Sequence, residues 1–134
     1  MATPKIIMIV DDDPDNIEFF CEALSEIDPA IKCIGARGGE EALMLLKENP
    51  SLPDFIFLDI NMPKMDGKQC LECFKSDVNY SSIPVVMYTT SESLDDMYET
   101  KKLGAVYFLT KPSTFSELKT AIKYILDERW DDVC

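Results

Sequence analysis

Residues 53–67 read PDFIFLDINMPKMDG, and the first half of that stretch sets the architecture. Phe55, Ile56, Phe57 and Leu58 form an unbroken apolar run with the length and aromatic, β-branched character of a strand. Without polar alternation, both faces of such a strand are covered, as in a parallel sheet. The run ends in Asp59. A carboxylate at the edge of an apolar core loses hydration, so it persists where a cation needs it or where it reacts.

Outward from this stretch, short apolar runs alternate with amphipathic ones. Segments 5–10, 31–36, 85–88 and 106–109 join 55–58 as strands bounded by turn residues. Segment 14–27 carries Ile17, Phe20, Leu24 and Ile27 at three- and four-residue steps, the stripe of an amphipathic helix. Asp13 is read as its N-cap and Pro14 as its first helical residue. Helices are also predicted over 39–48, 67–75 and 94–102, the last closed by Gly104, with Asp66 and Gly67 shaping the turn into 67–75. A fifth begins near Ser116 and buries Phe115, Leu118, Ile122, Ile125 and Leu126. Five β–α repeats predict an α/β fold, an open parallel sheet with helices on both sides. Ligands in such sheets sit at the carboxyl ends of the strands.

At 134 residues the chain fits one domain. Its 25 acidic residues against 13 basic ones give a net charge of −12, leaving no basic surface for phosphates and excluding nucleic acid as a partner. Histidine is absent, which removes histidine catalysis, histidine metal sites and a histidine phosphoacceptor. No run has the apolar length of a membrane helix, and the aspartates after Val10 interrupt the N-terminus too early for a signal peptide. A cytoplasmic location with no membrane association is expected. In that compartment Cys21, Cys33, Cys70, Cys73 and Cys134 are expected as free thiols. Cys70 and Cys73 form a C-x-x-C inside a helical stretch with no second pair, which favours packing over a metal or redox role.

The residues after the strands carry the chemistry. Asp11, Asp12 and Asp13 follow the first strand, Asp59 and Asn61 the third, Thr89 and Thr90 the fourth, and Lys111 and Pro112 the fifth. Clustered carboxylates raise one another's pKa values unless a divalent cation sits among them, and oxygen-only donors suit Mg²⁺ or Mn²⁺. Lys111 and Thr89 could hold phosphoryl oxygens by charge and hydrogen bond. Aspartate carboxylates are known nucleophiles toward phosphorus. Taken singly, Thr89 reads as a strand residue, Lys111 as a surface lysine and Phe108 as core. Their joint placement at one end of one sheet makes the case.

Four fragments in order, IVDDD, LDINMPKMDG, VVMYTT and LTKP, resemble the receiver domain of two-component response regulators, the chemotaxis receivers among them. The resemblance spans residues 4–128 and leaves 129–134 as a polar C-terminal tail. It implies a flavodoxin-like, doubly wound, five-stranded parallel sheet in the order 2-1-3-4-5 with five helices. It also implies that Asp59 accepts a phosphoryl group from a phosphohistidine on a sensor histidine kinase or a histidine phosphotransfer protein. Mg²⁺ (or Mn²⁺) would be held by Asp12, Asp59 and the backbone carbonyl of Asn61, with Asp11 acting through water. Lys111 would pair with Asp59 before phosphorylation and with the phosphoryl group afterwards. Thr89 would turn toward that group, and Phe108, three residues before Lys111, would rotate into the space vacated. The Lys111–Pro112 peptide is expected to be cis. Output, for signalling or phosphorelay, would pass through the surface of the fourth helix, fifth strand and fifth helix to a downstream protein partner, or onward to another histidine, from a monomer or a weak phosphorylation-dependent dimer. On this reading the chain is a signalling phosphoacceptor, catalysing only its own phosphorylation and dephosphorylation.

Other readings fit less well. Asp11, Asp13, Asp15 and Glu22 have the spacing of a calcium-binding EF-hand loop, but Asn16 stands where glycine is needed and Pro14 interrupts it. A haloacid-dehalogenase-type phosphatase or phosphotransferase expects an acid two positions after the nucleophile, where Asn61 stands, and a cap domain. A flavodoxin needs hydroxyls and amides after the first strand to hold a flavin phosphate, and three aspartates would repel it. A receiver that binds partners without phosphorylation is disfavoured because no site residue is missing.

Overall fold

The strand ladder fixes the arrangement of the chain. In the computed structural model, which describes residues 6–127, five parallel strands pair in the order β2-β1-β3-β4-β5. They are β1 (Ile6–Val10), β2 (Lys32–Ala36), β3 (Phe55–Leu58), β4 (Val85–Thr89) and β5 (Tyr107–Thr110), alternating with α1 (Pro14–Ile27), α2 (Gly39–Glu48), α3 (Gly67–Ser76), α4 (Leu94–Lys102) and α5 (Phe115–Asp127). Lys5, with which the first strand was expected to open, and the tail 129–134 with Cys134 lie outside the described residues.

The unbroken apolarity of the inner strands has the expected cause, because side chains alternate between two cores. Met8, Val10, Ile56, Leu58, Val85 and Met87 pack with Ala42 and Leu46 of α2 and Cys70, Leu71 and Phe74 of α3. Ile7, Ile9, Phe55, Phe57, Val86 and Tyr88 pack with Phe20 and Leu24 of α1 and Leu118, Ile122 and Ile125 of α5. The chain leaves β1 for β2 on one side and returns to β3 on the other, so the strand order reverses at the carboxyl ends of β1 and β3. That reversal opens a crevice where ligands bind in such sheets.

The helix starts are set locally. Asp13 has extended dihedrals and its side chain accepts from the Asp15 N–H at 2.9 Å, ahead of Pro14. Asp66 and Gln69 close a capping box on α3. β4 and β5 each run one residue past the expected end, because Thr89 and Thr110 pair across the ladder.

The thiol expectation is corrected in part. Cys21 of α1 and Cys33 of β2 form a disulfide, with Cα atoms 5.7 Å apart. Helix α1 lies close over the edge strand: a Cβ on Gly35 of β2 would collide with Cγ2 of Ile17. That close approach brings the two cysteines together. Cys70 and Cys73 remain thiols within α3, and burial pushes the Cys70 thiol up to about 12, so it is inert as a nucleophile at neutral pH.

Candidate functional site

Backbone hydrogen bonds continue past the strand ends and fix the polar residues there. The N–H of Asp11 donates to the Ala36 carbonyl at 3.0 Å, that of Asp59 to Val10 at 3.0 Å, and that of Lys111 to Thr89 at 2.7 Å. Asp11 and Asp59 extend the alternation that points Ile9 and Phe57 toward α1 and α5. Both are buried, whereas Asp12 is exposed at the rim. One carboxylate oxygen from each of Asp11, Asp12 and Asp59 lies within 4.8 Å of the others.

Lys111 bridges this cluster. Its Nζ donates to Asp11 Oδ2 at 2.7 Å and reaches Asp59 Oδ2 at 3.5 Å. The same nitrogen lies 5.3 Å from the centroid of the Tyr88 ring, which packs beneath it. Asp11 also accepts from the Asp13 N–H at 3.0 Å and from Asn16 Nδ2 at 3.4 Å. The sequence reading paired Lys111 with Asp59, and the structure gives the shorter contact to Asp11.

Lys111 thus bridges two of the three carboxylates, Asp11 and Asp59, and Asp59 registers the imbalance. Burial raises its carboxyl above the ordinary 3.8; the Lys111 ammonium opposes this, neighbouring Asp11 adds to it, and hydrogen bonds from the Thr89 side chain and the Asn61 backbone lower it again. The Tyr88 phenol is driven far above its ordinary value by burial and by Asp11 and Asp59, so it stays neutral.

Thr89 is fully buried, and its Oγ1 accepts from the Ser91 N–H at 3.4 Å. Phe108 is half-buried opposite Met87 and packs on the core shared with α2 and α3. Tyr107 turns the other way, its ring 6.3 Å from that of Tyr124 in α5. Gly67 has no substitute at the start of α3: a Cβ there would collide with the Asp59 carbonyl and the Ile60 Cα. The Lys111–Pro112 expectation is corrected, since the described residues contain no cis peptide. Trans is the lower-energy isomer of an X-Pro bond, and from it Lys111 already reaches both carboxylates.

The donor set fits a hard divalent cation. All donors are oxygens, and in an octahedral shell with bonds of about 2.1 Å neighbouring oxygens stand about 3 Å apart and opposite ones about 4 Å apart. The carboxylate oxygens, within 4.8 Å of one another, stand on that scale. Bound there, a cation would offset the charge that Lys111 leaves uncompensated.

The response regulator receiver domain matches as a family over residues 7–123. The chain belongs to that family. The receiver is 32% identical over 120 residues to response regulator Rcp1 of Synechocystis sp., covering 86% of this chain and 82% of Rcp1. A Mn²⁺-bound structure of Rcp1 aligns with TM-score 0.83 at 30% identity, covering 94% of this chain and 97% of that one. The phosphorylated cyanobacterial phytochrome response regulator RcpA aligns with TM-score 0.82 at 35% identity, covering 90% of each chain. A probable cyclic di-GMP phosphodiesterase of Vibrio cholerae is 33% identical over 128 residues, which cover 95% of this chain but 28% of that protein. The receiver therefore spans most of Rcp1 and only a minor part of the phosphodiesterase.

The haloacid-dehalogenase reading finds no support in these relatives. Sequence reasoning missed Asn16 and Tyr88 as neighbours of the receiver's carboxylate cluster. It also missed a polar chain over the β4–α4 loop, in which Lys68 Nζ lies 2.6 Å from Asp96 Oδ1 and Ser91 Oγ donates to Asp96 Oδ2 at 2.6 Å. Asn16, in the first turn of α1, carried a local signal. Lys68 and Asp96, 28 residues apart, carried none. Among the described residues, no helix is long and apolar enough to cross a membrane.

Proposed function

We propose that Asp59 is the phosphoacceptor of a signalling switch, taking its phosphoryl group from a phosphohistidine on a sensor kinase or histidine phosphotransfer protein. The observation that carries this is the convergence of Asp11, Asp12 and Asp59 within 4.8 Å, with the Lys111 ammonium bridging Asp11 and Asp59. An Asp59 carboxylate oxygen attacks phosphorus, the phosphorus–nitrogen bond breaks with its electron pair staying on nitrogen, and the partner's imidazole leaves neutral, its other ring nitrogen keeping the proton it already held. Asp12, Asp59 and the Asn61 carbonyl would hold Mg²⁺, with Asp11 behind a water. The ion, when bound, offsets the charge on the phosphoryl oxygens. Lys111 follows the new negative charge, and the buried Thr89 hydroxyl donates to a phosphoryl oxygen. Phe108, beside the Thr89–Thr110 pair, carries the change to the α4–β5–α5 surface.

Output then passes to a protein partner, because a chain of net charge −12 offers phosphates no basic surface. The reading includes a cytoplasmic location and a monomer or a weak dimer that forms on phosphorylation. The receiver's own catalysis is limited to gaining and losing the phosphoryl group.

The test is incubation with acetyl phosphate and Mg²⁺, followed by intact mass. One added phosphoryl group is expected, absent when the metal is chelated beforehand and absent in Asp59→Asn. A phosphoryl mass that survives Asp59→Asn would assign the acceptor elsewhere.

A further inference from the structure

Helix α4 docks on the receiver with little apolar burial. Thr100 is its one buried residue, while Leu94 and Tyr98 are 79% and 67% exposed. Polar contacts hold its first turns. Lys68, at the start of α3, approaches Asp96 Oδ1 at 2.6 Å and Glu99 Oε2 at 3.0 Å. The second Asp96 oxygen accepts from Ser91 Oγ at 2.6 Å, and Ser91 Oγ in turn accepts from the Ser93 N–H at 3.1 Å. The Ser91 N–H donates to Thr89 Oγ1 at 3.4 Å, and Thr110 Oγ1 donates to the Ser91 carbonyl at 3.2 Å. The chain of contacts thus runs from α3 to the hydroxyl beside Asp59.

Both ends of this chain are anchored to the acceptor. Lys68 follows Gly67, whose N–H donates to Ile60 at 2.8 Å and which packs against the Asp59 carbonyl. The other end is Thr89. We propose that Lys68 is a positioning residue: through Asp96 and Ser91 it holds the β4–α4 loop so that the Thr89 hydroxyl stays aimed at the acceptor, and it makes the docking of α4 part of the phosphorylation step. This rests on the phosphoacceptor reading of Asp59.

A solvated surface ion pair is the competing explanation, and such pairs contribute little. Three features set this one apart. The Lys68 and Asp96 side chains are 24% and 22% exposed, so water screens them incompletely. Both Asp96 oxygens are engaged, one by an ammonium and one by a hydroxyl that belongs to the loop. Hydrogen bonds from Lys68 and Ser91 hold the Asp96 carboxyl below its ordinary value, the direction expected of a carboxylate that works as an acceptor from both sides.

The experiment compares the wild type with Lys68→Met, Asp96→Asn, the double variant and Lys68→Arg. Three readouts are needed: the initial rate of phosphorylation by acetyl phosphate at saturating Mg²⁺, Mg²⁺ affinity by calorimetry, and amide hydrogen exchange across residues 89–96. Each single variant is expected to slow phosphorylation about 5-fold at low salt, the lower end of a typical coupling between sites. The double variant is expected to be no slower than either single one. Lys68→Arg should recover the rate, high salt should narrow the gap, and Mg²⁺ affinity should not change, because the metal-facing carboxylates are untouched. Exchange across 89–96 should rise in Lys68→Met. Wild-type rates in Lys68→Met, additive losses in the double variant, or unchanged exchange would each overturn the tether. A wild type that takes no phosphoryl group would instead sink the acceptor reading, and the exchange arm would still decide the tether.

Discussion

At the scale of single residues, the Asp59 carboxylate sits against the preference of the fold. Burial and the Asp11 carboxylate hold the Asp59 pKa above 3.8 despite Lys111, so the ionised form is disfavoured in the native state. Its sign in the pH dependence follows. Between the unfolded and folded pKa values the native state binds the extra proton, stability falls as pH rises through that window, and the cost persists at neutral pH. Asp59→Asn, nearly isosteric and uncharged, is therefore expected to raise the urea midpoint at pH 7 in chelator and to flatten the acid-side slope. Mg²⁺ should reverse the order. An ion that binds only the native wild type adds about 2.7 kcal/mol at a concentration of one hundred times its Kd, and the variant lacks a ligand. Paired urea titrations with Mg²⁺ and with chelator check both halves, and a less stable Asp59→Asn in chelator would show that the carboxylate is no burden. The sequence exposed much of this cluster, since Asp11, Asp12, Asp59, Thr89 and Lys111 each stand at a strand end. It could not show that Lys111 sits closer to Asp11 than to Asp59, because that choice depends on side-chain reach across three strands.

At the scale of elements, legibility tracked hydrophobic periodicity. Helices 14–27, 39–48 and 94–102 formed where the pattern placed them, and 55–58 is the strand predicted. The misses lie where packing between elements decides. Nothing in the spacing of Cys21 and Cys33 announces a bond, because it needs α1 to settle on the edge strand over Gly35. The bond joins positions 12 residues apart. Closing a loop of that length in the unfolded chain is worth about 3 kcal/mol in the chain-entropy account. Adding a reductant should lower the unfolding midpoint of the wild type and leave a Cys21→Ser, Cys33→Ser variant unaffected. Thermal unfolding with and without dithiothreitol measures this, and equal midpoints for the wild type in both conditions would show that the pair does not bond in solution. The weak docking of α4 was equally hidden, since a periodic pattern does not report that Leu94 and Tyr98 face outward.

At the scale of the molecule, one ammonium links the acceptor to the sheet edge. Lys111 follows β5 directly, its N–H bonded to Thr89 of β4 and its Nζ shared between Asp11 and Asp59. A phosphoryl group on Asp59 adds negative charge on one side of Nζ and competes with Asp11 for it. On the proposed reading, the resulting pull acts on the strand that carries Phe108, half-buried on the core shared with α2 and α3. A differential stabilisation of about 2–3 kcal/mol is enough to shift a two-state equilibrium about 30- to 150-fold, so no large rearrangement is required. Lys111→Ala should separate charge from message. With the positive charge removed from between Asp11 and Asp59, the variant should bind Mg²⁺ at least as tightly as the wild type. It should still take up beryllofluoride, a phosphoryl mimic, at Asp59. What it should lose is the response: beryllofluoride should alter amide exchange in β5 and α4 of the wild type and leave both unchanged in Lys111→Ala. The same exchange response in both proteins would mean that the signal reaches Phe108 by way of Thr89 alone, and Lys111 would then be a counter-ion and not a transmitter.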